Sequence, residues 1–233
     1  MNNFLYCFDE NYNIPAFCSM FSILENANVE INIFVIHKLD KENISVPDKI
    51  NNHKNLKSIN FYKASLKNNF PNLIDVHVTE ATYYRLFIEY FIKEDIGFIT
   101  YVDCDVICIN NPIKTIKEHE EILAKKNLSI SVLEEHGLSE YGFSNFGIES
   151  GKYFNAGVMI INLQKWKKDK LKDNFLEIIE KHSKKLLFWD QDVMNIHFNG
   201  NYHRLDPNLN TRVPMEEGSE LNILTMDQKN KII

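Results

Sequence analysis

Cysteine is scarce in this chain of 233 residues, with four in all, and Cys7, Cys18, Cys104 and Cys108 contain no CxxC pair. That excludes a disulfide framework and the usual zinc spacings. Cys7, Cys104 and Cys108 fall in strand-like runs, which reads as buried free thiols rather than bridges. Positive charge is also in deficit: the formal net charge is −6. An acidic chain offers no electrostatic footprint for nucleic acid or for an anionic membrane, so any phosphate-bearing ligand must be held locally. No run approaches the roughly 20 apolar residues of a membrane span. The N-terminus has no basic segment, and its apolar start at Phe4–Phe8 is cut by Asp9 and Glu10, unlike a signal peptide. Repeats, low-complexity tracts and Pro/Gly/Ser linkers are absent. These absences predict a soluble, cytoplasmic protein with no transmembrane segment.

What is present is an ordinary globular composition, 44% hydrophobic and 25% charged, enough for one domain with a sizeable core. Strand-like and helix-like segments alternate. Phe4–Phe8, Ile31–Ile36, Ser58–Tyr62, Gly97–Val102, Leu128–Val132 and Tyr153–Ile161 read as strands. Asn13, followed by Pro15, predicts a capped helix to about Asn26. Pro47 argues against a long helix between the second and third strands. Thr79–Ile92 predicts a helix with Tyr84, Phe87, Ile88 and Phe91 on one face, and Pro112–Lys126 another. Leu171, Phe175, Ile178, Ile179 and His182 trace a further helix, with His182 at the stripe edge. Glu134–Gly151 is polar, Gly-punctuated and loop-like, and the periodicity fades from Asn208. Such alternation predicts an α/β fold with a mainly parallel central sheet flanked by helices. Ligands in such folds bind beyond the carboxyl ends of the strands.

At one such end stand Asp103 and Asp105, closing the apolar run Gly97–Val102. Alternation along a strand would aim both carboxylates the same way, with Cα atoms roughly 7 Å apart. Two carboxylates that close raise each other's pKa and stay ionised best with a divalent cation beside them. Oxygen donors suit Mg²⁺ or Mn²⁺, whose coordination substrate phosphates usually complete. The plainer alternative is a pair of solvated turn residues.

Four other features need weighing. Asp9-Glu10-Asn11-Tyr12 follows the first strand, either as an ordinary turn or as short polar groups and a ring that read and stack on a base. Arg85 offers a guanidinium fork for phosphate or carboxylate, although most helical arginines are solvated. Asn155-Ala156-Gly157 opens an apolar strand, and its glycine permits close approach to backbone. In Trp189-Asp190-Gln191-Asp192, Asp190 could cap a helix. Capping would leave Gln191 and Asp192 unexplained.

Taken together, in this order and spacing, the five pieces resemble family 8 of the retaining glycosyltransferases, which includes bacterial lipopolysaccharide galactosyl- and glucosyltransferases and glycogenin. The resemblance runs from Phe4 to about Leu205. It implies a glycosyltransferase A-type nucleotide-binding fold and transfer of a hexose, with retention, from UDP-glucose or UDP-galactose to a glycan, lipid-linked sugar or protein. By similarity, Asp9, Glu10 and Asn11 belong to the uridine-contacting turn, with Tyr12 stacking on the base and His77-Val78 beside it. Arg85 bridges donor and metal site. Asp103 and Asp105 hold Mn²⁺ (or Mg²⁺) against the diphosphate, and the Cys104 backbone lies near the ribose. Asn155, Ala156 and Gly157 face the sugar, and Asp190 and Gln191 its hydroxyls and anomeric carbon. Whether Gln191 or Asp190 acts as a transient nucleophile, or the acceptor attacks from the leaving-group side, stays open at this level.

The family's third metal ligand, a His in a late His-x-x-Gly-x-x-Lys segment, has no counterpart here. His197 and His203 lack the following Gly and Lys and read as structural or exposed. The expectation is one domain over residues 1–233, shortened before that segment, with weakened metal and donor affinity and with peripheral membrane association possible through the missing C-terminus. Two other readings compete. A haloacid-dehalogenase-type phosphatase would use Asp103 as nucleophile, although that motif normally comes near the chain start. A non-catalytic nucleotide-sugar-binding protein would have lost turnover.

Overall fold

The first strand sets the architecture. In β1 (Asn3–Phe8) every residue is buried, with Phe4, Tyr6 and Phe8 on one face and Leu5 and Cys7 on the other. A strand buried on both faces belongs at the centre of a sheet covered on both sides. The computed structural model describes residues 1–64, 80–135, 146–149, 151–182 and 184–211. Among these, β1 joins β2 (Ile31–His37), β3 (Leu56–Lys63), β4 (Phe98–Val102), β5 (Ile130–Glu134), β6 (Phe154–Asn162) and β7 (His203–Arg204) in one sheet, ordered β3-β2-β1-β4-β6-β5-β7. β6 alone runs against the rest, pairing antiparallel with β4 and β5. The sheet is therefore mainly parallel, as expected, with one reversed strand that the sequence did not mark.

One face packs on α1 (Asn13–Asn26), α2 (Asp48–Asn51) and α4 (Ile113–Lys126) through Met20, Ile23, Ile50, Ile116 and Leu123. The other packs on residues 80–87, α3 (Ile88–Phe91), α5 (Leu163–Lys168), α6 (Leu171–His182) and α7 (Trp189–Phe198) through Leu86, Phe91, Trp166, Phe175 and Phe198. Fully burying one such aliphatic or aromatic side chain is worth about 1.5–3 kcal/mol.

Four local expectations change. Residues 80–87 wind as a 3-10 helix, and only Ile88–Phe91 is α-helical. Tyr84, Phe87, Ile88 and Phe91 are buried as foreseen, but so are Ala81, Tyr83, Arg85 and Leu86, because the segment is wedged between β1, α6 and α7. Tertiary packing overrides the one-sided pattern. Asn13 is the first residue of α1 rather than its cap. Its Oδ1 lies 3.1 Å from His37 Nε2, while His37 Nδ1 accepts the Leu39 N–H at 2.9 Å. Of the cysteines, only Cys7 lies in a strand. Cys104 is buried in the turn after β4, and the Cys108 N–H donates to Ser22 Oγ on α1 at 2.9 Å. Finally, the stretch after Glu134 begins held in place: Glu135 N–H donates to the Tyr153 carbonyl at 2.8 Å, and residues 136–145 lie outside the described residues.

Within β6 the alternation slips. Phe154 and Ala156 share a face with Met159 and Ile161, whereas Val158 and Ile160 take the other. The β5–β6 register shifts at the same level. Such an irregularity bends a strand and re-aims its side chains, and it falls at Gly157, beside the carboxyl end of β4.

Candidate active site

The carboxyl ends of β1 and β4, the entry of β6 and the start of α7 converge on Arg85. Its guanidinium is almost fully buried and lies 4.9 Å from the Tyr101 ring centroid. Its Nε pairs with Asp190 Oδ2, one Nη donates to Asp103 Oδ1 at 2.9 Å, and the same Nη donates to the Ala156 carbonyl at 3.0 Å. A planar, always-charged fork suits such multiple recognition, and Lys would not replace it. Burial works against the charge, but Asp190, Tyr101 and Asp103 outweigh it and hold the Arg85 pKa well above its ordinary value.

Asp103 is reached differently from the expectation. β4 ends at Val102, so strict alternation does not place the two aspartates. The Asp103 N–H continues the ladder to the Gly157 carbonyl at 2.7 Å, and a turn follows in which the Val106 N–H meets the Asp103 carbonyl at 3.3 Å. The Asp103 side chain, 36% exposed, points inward, and its Oδ1 also accepts the Tyr101 hydroxyl at 2.6 Å. Burial pushes its pKa up, against the pull of Arg85 and the Tyr101 bond, and the Asp105 charge adds to the rise. Asp105 is exposed and, among the described residues, makes no ion pair. Gly157 leaves room for its neighbours: a Cβ there would lie 2.9 Å from Asn155 Oδ1 and 3.1 Å from Asp103 Oδ2, so those side chains would have to shift.

On the far side, Asp190 is 1% exposed and committed to Arg85 rather than capping α7. Burial raises its carboxyl to about 6, opposed by the guanidinium. The acid that secures the start of α7 is Asp192, whose Oδ2 accepts the Leu187 and Phe188 N–H groups at 2.7 and 2.8 Å. Between them Gln191 is half-buried, and its Oε1 accepts the Ala156 N–H at 2.9 Å. Asn155 Oδ1 accepts from the Gly157 N–H at 2.8 Å and from Asn210 Nδ2 at 3.0 Å, and its Nδ2 donates to Glu135 at 3.1 Å.

Asp9, at the end of β1, is buried, and its Oδ1 accepts the Asn11 N–H at 3.0 Å, capping the short 3-10 turn Glu10–Tyr12. The turn reading therefore holds. Glu10 and Asn11 are exposed, and the Tyr12 ring is 40% exposed, open to stacking. The Cys104 thiol is buried and its pKa is raised by that burial. His77 and Val78 lie outside the described residues. His197 and His203 are structural: the first packs on Phe175 and Phe198, the second on His119. The sequence singled out neither Tyr101 nor Tyr153. For Tyr101 a signal existed, since it precedes Asp103 by two positions at the end of the same strand.

A divalent cation fits the donors only in part. Asp103 and Asp105 supply hard oxygens, but among the described residues no three His, Cys, Asp or Glu side chains gather closely enough to hold a metal ion unaided. Two carboxylates with an open side match a cation whose shell a diphosphate completes.

Comparison with known proteins bears on the fold and the family. A putative glycosyltransferase of Haemophilus influenzae is 28% identical over 202 residues, covering 83% of this chain and 58% of that protein. A lipopolysaccharide 1,2-glucosyltransferase of Escherichia coli is 28% identical over 200 residues, 82% of this chain and 56% of its own length. The chain thus spans about half the length of the curated relatives it matches. The crystal structure of the galactosyltransferase LgtC with donor and acceptor sugar analogues shares the fold, at a TM-score of 0.76 and 21% identity over 88% of this chain and 74% of that one. The sequence profile of glycosyl transferase family 8 matches residues 3–233, and the chain belongs to that family.

Proposed function

We propose that this chain is the nucleotide-sugar-binding and catalytic domain of a retaining, metal-dependent hexosyltransferase, moving glucose or galactose from a UDP-sugar to a glycan, lipid-linked sugar or protein. The observation that carries the reading is the Arg85 hub. One buried guanidinium ties Asp103, at the carboxyl end of β4, to Asp190 at the start of α7, so the diphosphate side and the sugar side of a donor would be held in fixed relation. The named activities of the relatives, a 1,2-glucosyltransferase and a galactosyltransferase, lie in the same range.

In this reading the open Tyr12 ring stacks on uracil, and Asp9 and Asn11 meet its edge. Asp103 and Asp105 would hold Mn²⁺ or Mg²⁺. When bound, the cation supplies Lewis-acid relief for the charge that builds on departing UDP. Arg85 opposes the effect of burial on Asp103 and holds its carboxyl turned inward, which pre-organises the site at no cost during the reaction. The exposed fraction of Gln191 faces the sugar, where an amide oxygen steadies an oxocarbenium-like centre. Asp190, buried and paired, orients Arg85 instead of attacking. The four free thiols fit a reducing, cytoplasmic setting. Among the described residues no helix is long and apolar enough to cross a membrane.

Family membership leaves the phosphatase reading without support, and its nucleophile is disfavoured besides, since Asp103 Oδ1 is engaged by Arg85 and Tyr101. The test is a screen of UDP-glucose, UDP-galactose and their acetamido analogues for Mn²⁺-dependent hydrolysis. Release of UDP from at least one hexose donor, abolished by a chelator, is expected. Binding of UDP without turnover of any donor would favour the non-catalytic reading.

A further inference from the structure

Beneath Gln191 lies a chain of hydrogen bonds whose direction is fixed from one end. Asp192 is 2% exposed. Its Oδ2 is taken by the Leu187 and Phe188 N–H groups, and its Oδ1 accepts the Tyr153 hydroxyl at 2.6 Å. The Tyr153 hydroxyl is the donor of this bond, so its proton lies there and the phenolic oxygen is left to accept. Gln191 Nε2 stands 3.3 Å from that oxygen and must donate to it. The other end of the amide, Oε1, meets the Ala156 N–H, which only donates. Both ends of the carboxamide are thereby assigned by partners that cannot reverse.

We infer that Tyr153 and Asp192 are positioning residues for Gln191: Asp192 orients the Tyr153 hydroxyl, and the hydroxyl fixes the amide so that its oxygen stays at Ala156. The residue at the other end of the relay matters because the Ala156 carbonyl is itself bonded to Arg85. A flipped amide would put an NH₂ against the Ala156 N–H and aim a donor where the proposed function needs a lone pair. Asn195 anchors the arrangement from below, with Nδ2 donating to the Phe154 and Gln191 carbonyls at 2.9 Å each, and Oδ1 accepting the Phe154 N–H at 2.8 Å. The negative end of the relay also sits in the first turn of α7, where the helix dipole favours a carboxylate. The consequence for catalysis rests on the proposed function, whereas the orientation itself does not.

The experiment uses Tyr153→Phe, which removes one hydroxyl and leaves the Asp192 bonds to Leu187 and Phe188 in place, alongside Gln191→Ala and the double variant. Expected for Tyr153→Phe is a fall of about tenfold in kcat for metal-dependent donor turnover, the scale of one lost hydrogen bond, with the affinity for UDP unchanged. The double variant should be no slower than Gln191→Ala, because Tyr153 acts through that amide. Additive losses, or full turnover in Tyr153→Phe, would overturn the inference. An activity-independent readout is the Gln191 side-chain NH₂ signal in NMR, assigned by its loss in Gln191→Glu. It should shift and exchange faster with solvent in Tyr153→Phe and in Asp192→Asn, and an unmoved signal would refute the relay. Should the wild-type chain turn over no donor, the functional proposal fails while this signal still decides the orientation.

Discussion

Two buried polar clusters in this sheet look alike and behave in opposite ways. At the carboxyl ends of β1 and β4, the carboxylates of Asp103 and Asp190 pair with the guanidinium of Arg85, and the exposed Asp105 lies near Asp103. At the far edge, His119 of α4 clips β5 to the segment after β7: its Nδ1 lies 2.9 Å from Ser131 Oγ, and its Nε2 accepts the Asp206 N–H at 3.1 Å. Because that backbone group only donates, the ring is neutral and its proton lies on Nδ1. The histidine clip is closed and balanced, with Ser131 wholly buried. The arginine hub is left with more negative than positive charge and an open side at Asp105. Structural polar clusters satisfy themselves, and a site keeps a deficit for its ligand to fill.

The largest effect should come from cutting the hub. Arg85→Ala leaves Asp103 and Asp190 buried without a partner, and a loss of about 3–5 kcal/mol in chemical denaturation is expected. Arg85→Lys, which keeps charge but not the fork, should recover part of it. Gly157→Ala presses a methyl group against Asn155 Oδ1 and Asp103 Oδ2. Overpacking of this kind costs about 1–3 kcal/mol, and donor affinity should fall with it. The clip should be milder: Ser131→Ala removes one hydrogen bond, about 1 kcal/mol, and should leave UDP binding untouched. A change in UDP affinity there would erase the distinction between the clusters.

The two clusters should also differ in the sign of their pH dependence. Burial holds His119 and His203 below the ordinary 6.5. The folded state then binds fewer protons than the unfolded chain, so their contribution is full above pH 6.5 and is lost as pH falls through the lowered values. Asp190 runs the other way: raised from 3.8 to about 6, its contribution is full below pH 3.8 and is lost as pH rises through about 6. Melting temperatures followed from pH 4 to 8 should lose the acid-side slope in His119→Gln, and the slope between pH 4 and 6 in Asp190→Asn.

How much of this was legible in the sequence differs between the clusters as well. The apolar runs and turn residues mark the sheet and the helices on its two faces, and Asp103, Asp105, Arg85 and Asp190 stand out because charged groups beside apolar runs need a reason. Local pattern does not tell that β6 reverses, since a strand buried on both faces reads the same in either direction. Nor does it tell that Arg85 lies in a 3-10 segment buried all round, or that Asp192 rather than Asp190 secures α7. The reversal and the burial of Arg85 depend on partners far away in the chain, and Asp190 is drawn off α7 by Arg85, 105 positions away, whereas the Asp192 bonds to Leu187 and Phe188 are local. His119 gave no signal at all: a histidine on a helix becomes a clip only when Asp206, 87 positions on, arrives at its ring.

The proposed function requires that Asp103 and Asp105 together receive a cation that holds a nucleoside diphosphate. Asp105 is exposed, so Asp105→Ala should leave stability within about 0.5 kcal/mol of the parent. Calorimetric titration of UDP with and without Mn²⁺ into the parent chain and this variant is the direct test. Mn²⁺-dependent binding is expected in the parent and none in the variant, with unchanged melting. Equal Mn²⁺-dependent affinity in the two would contradict it.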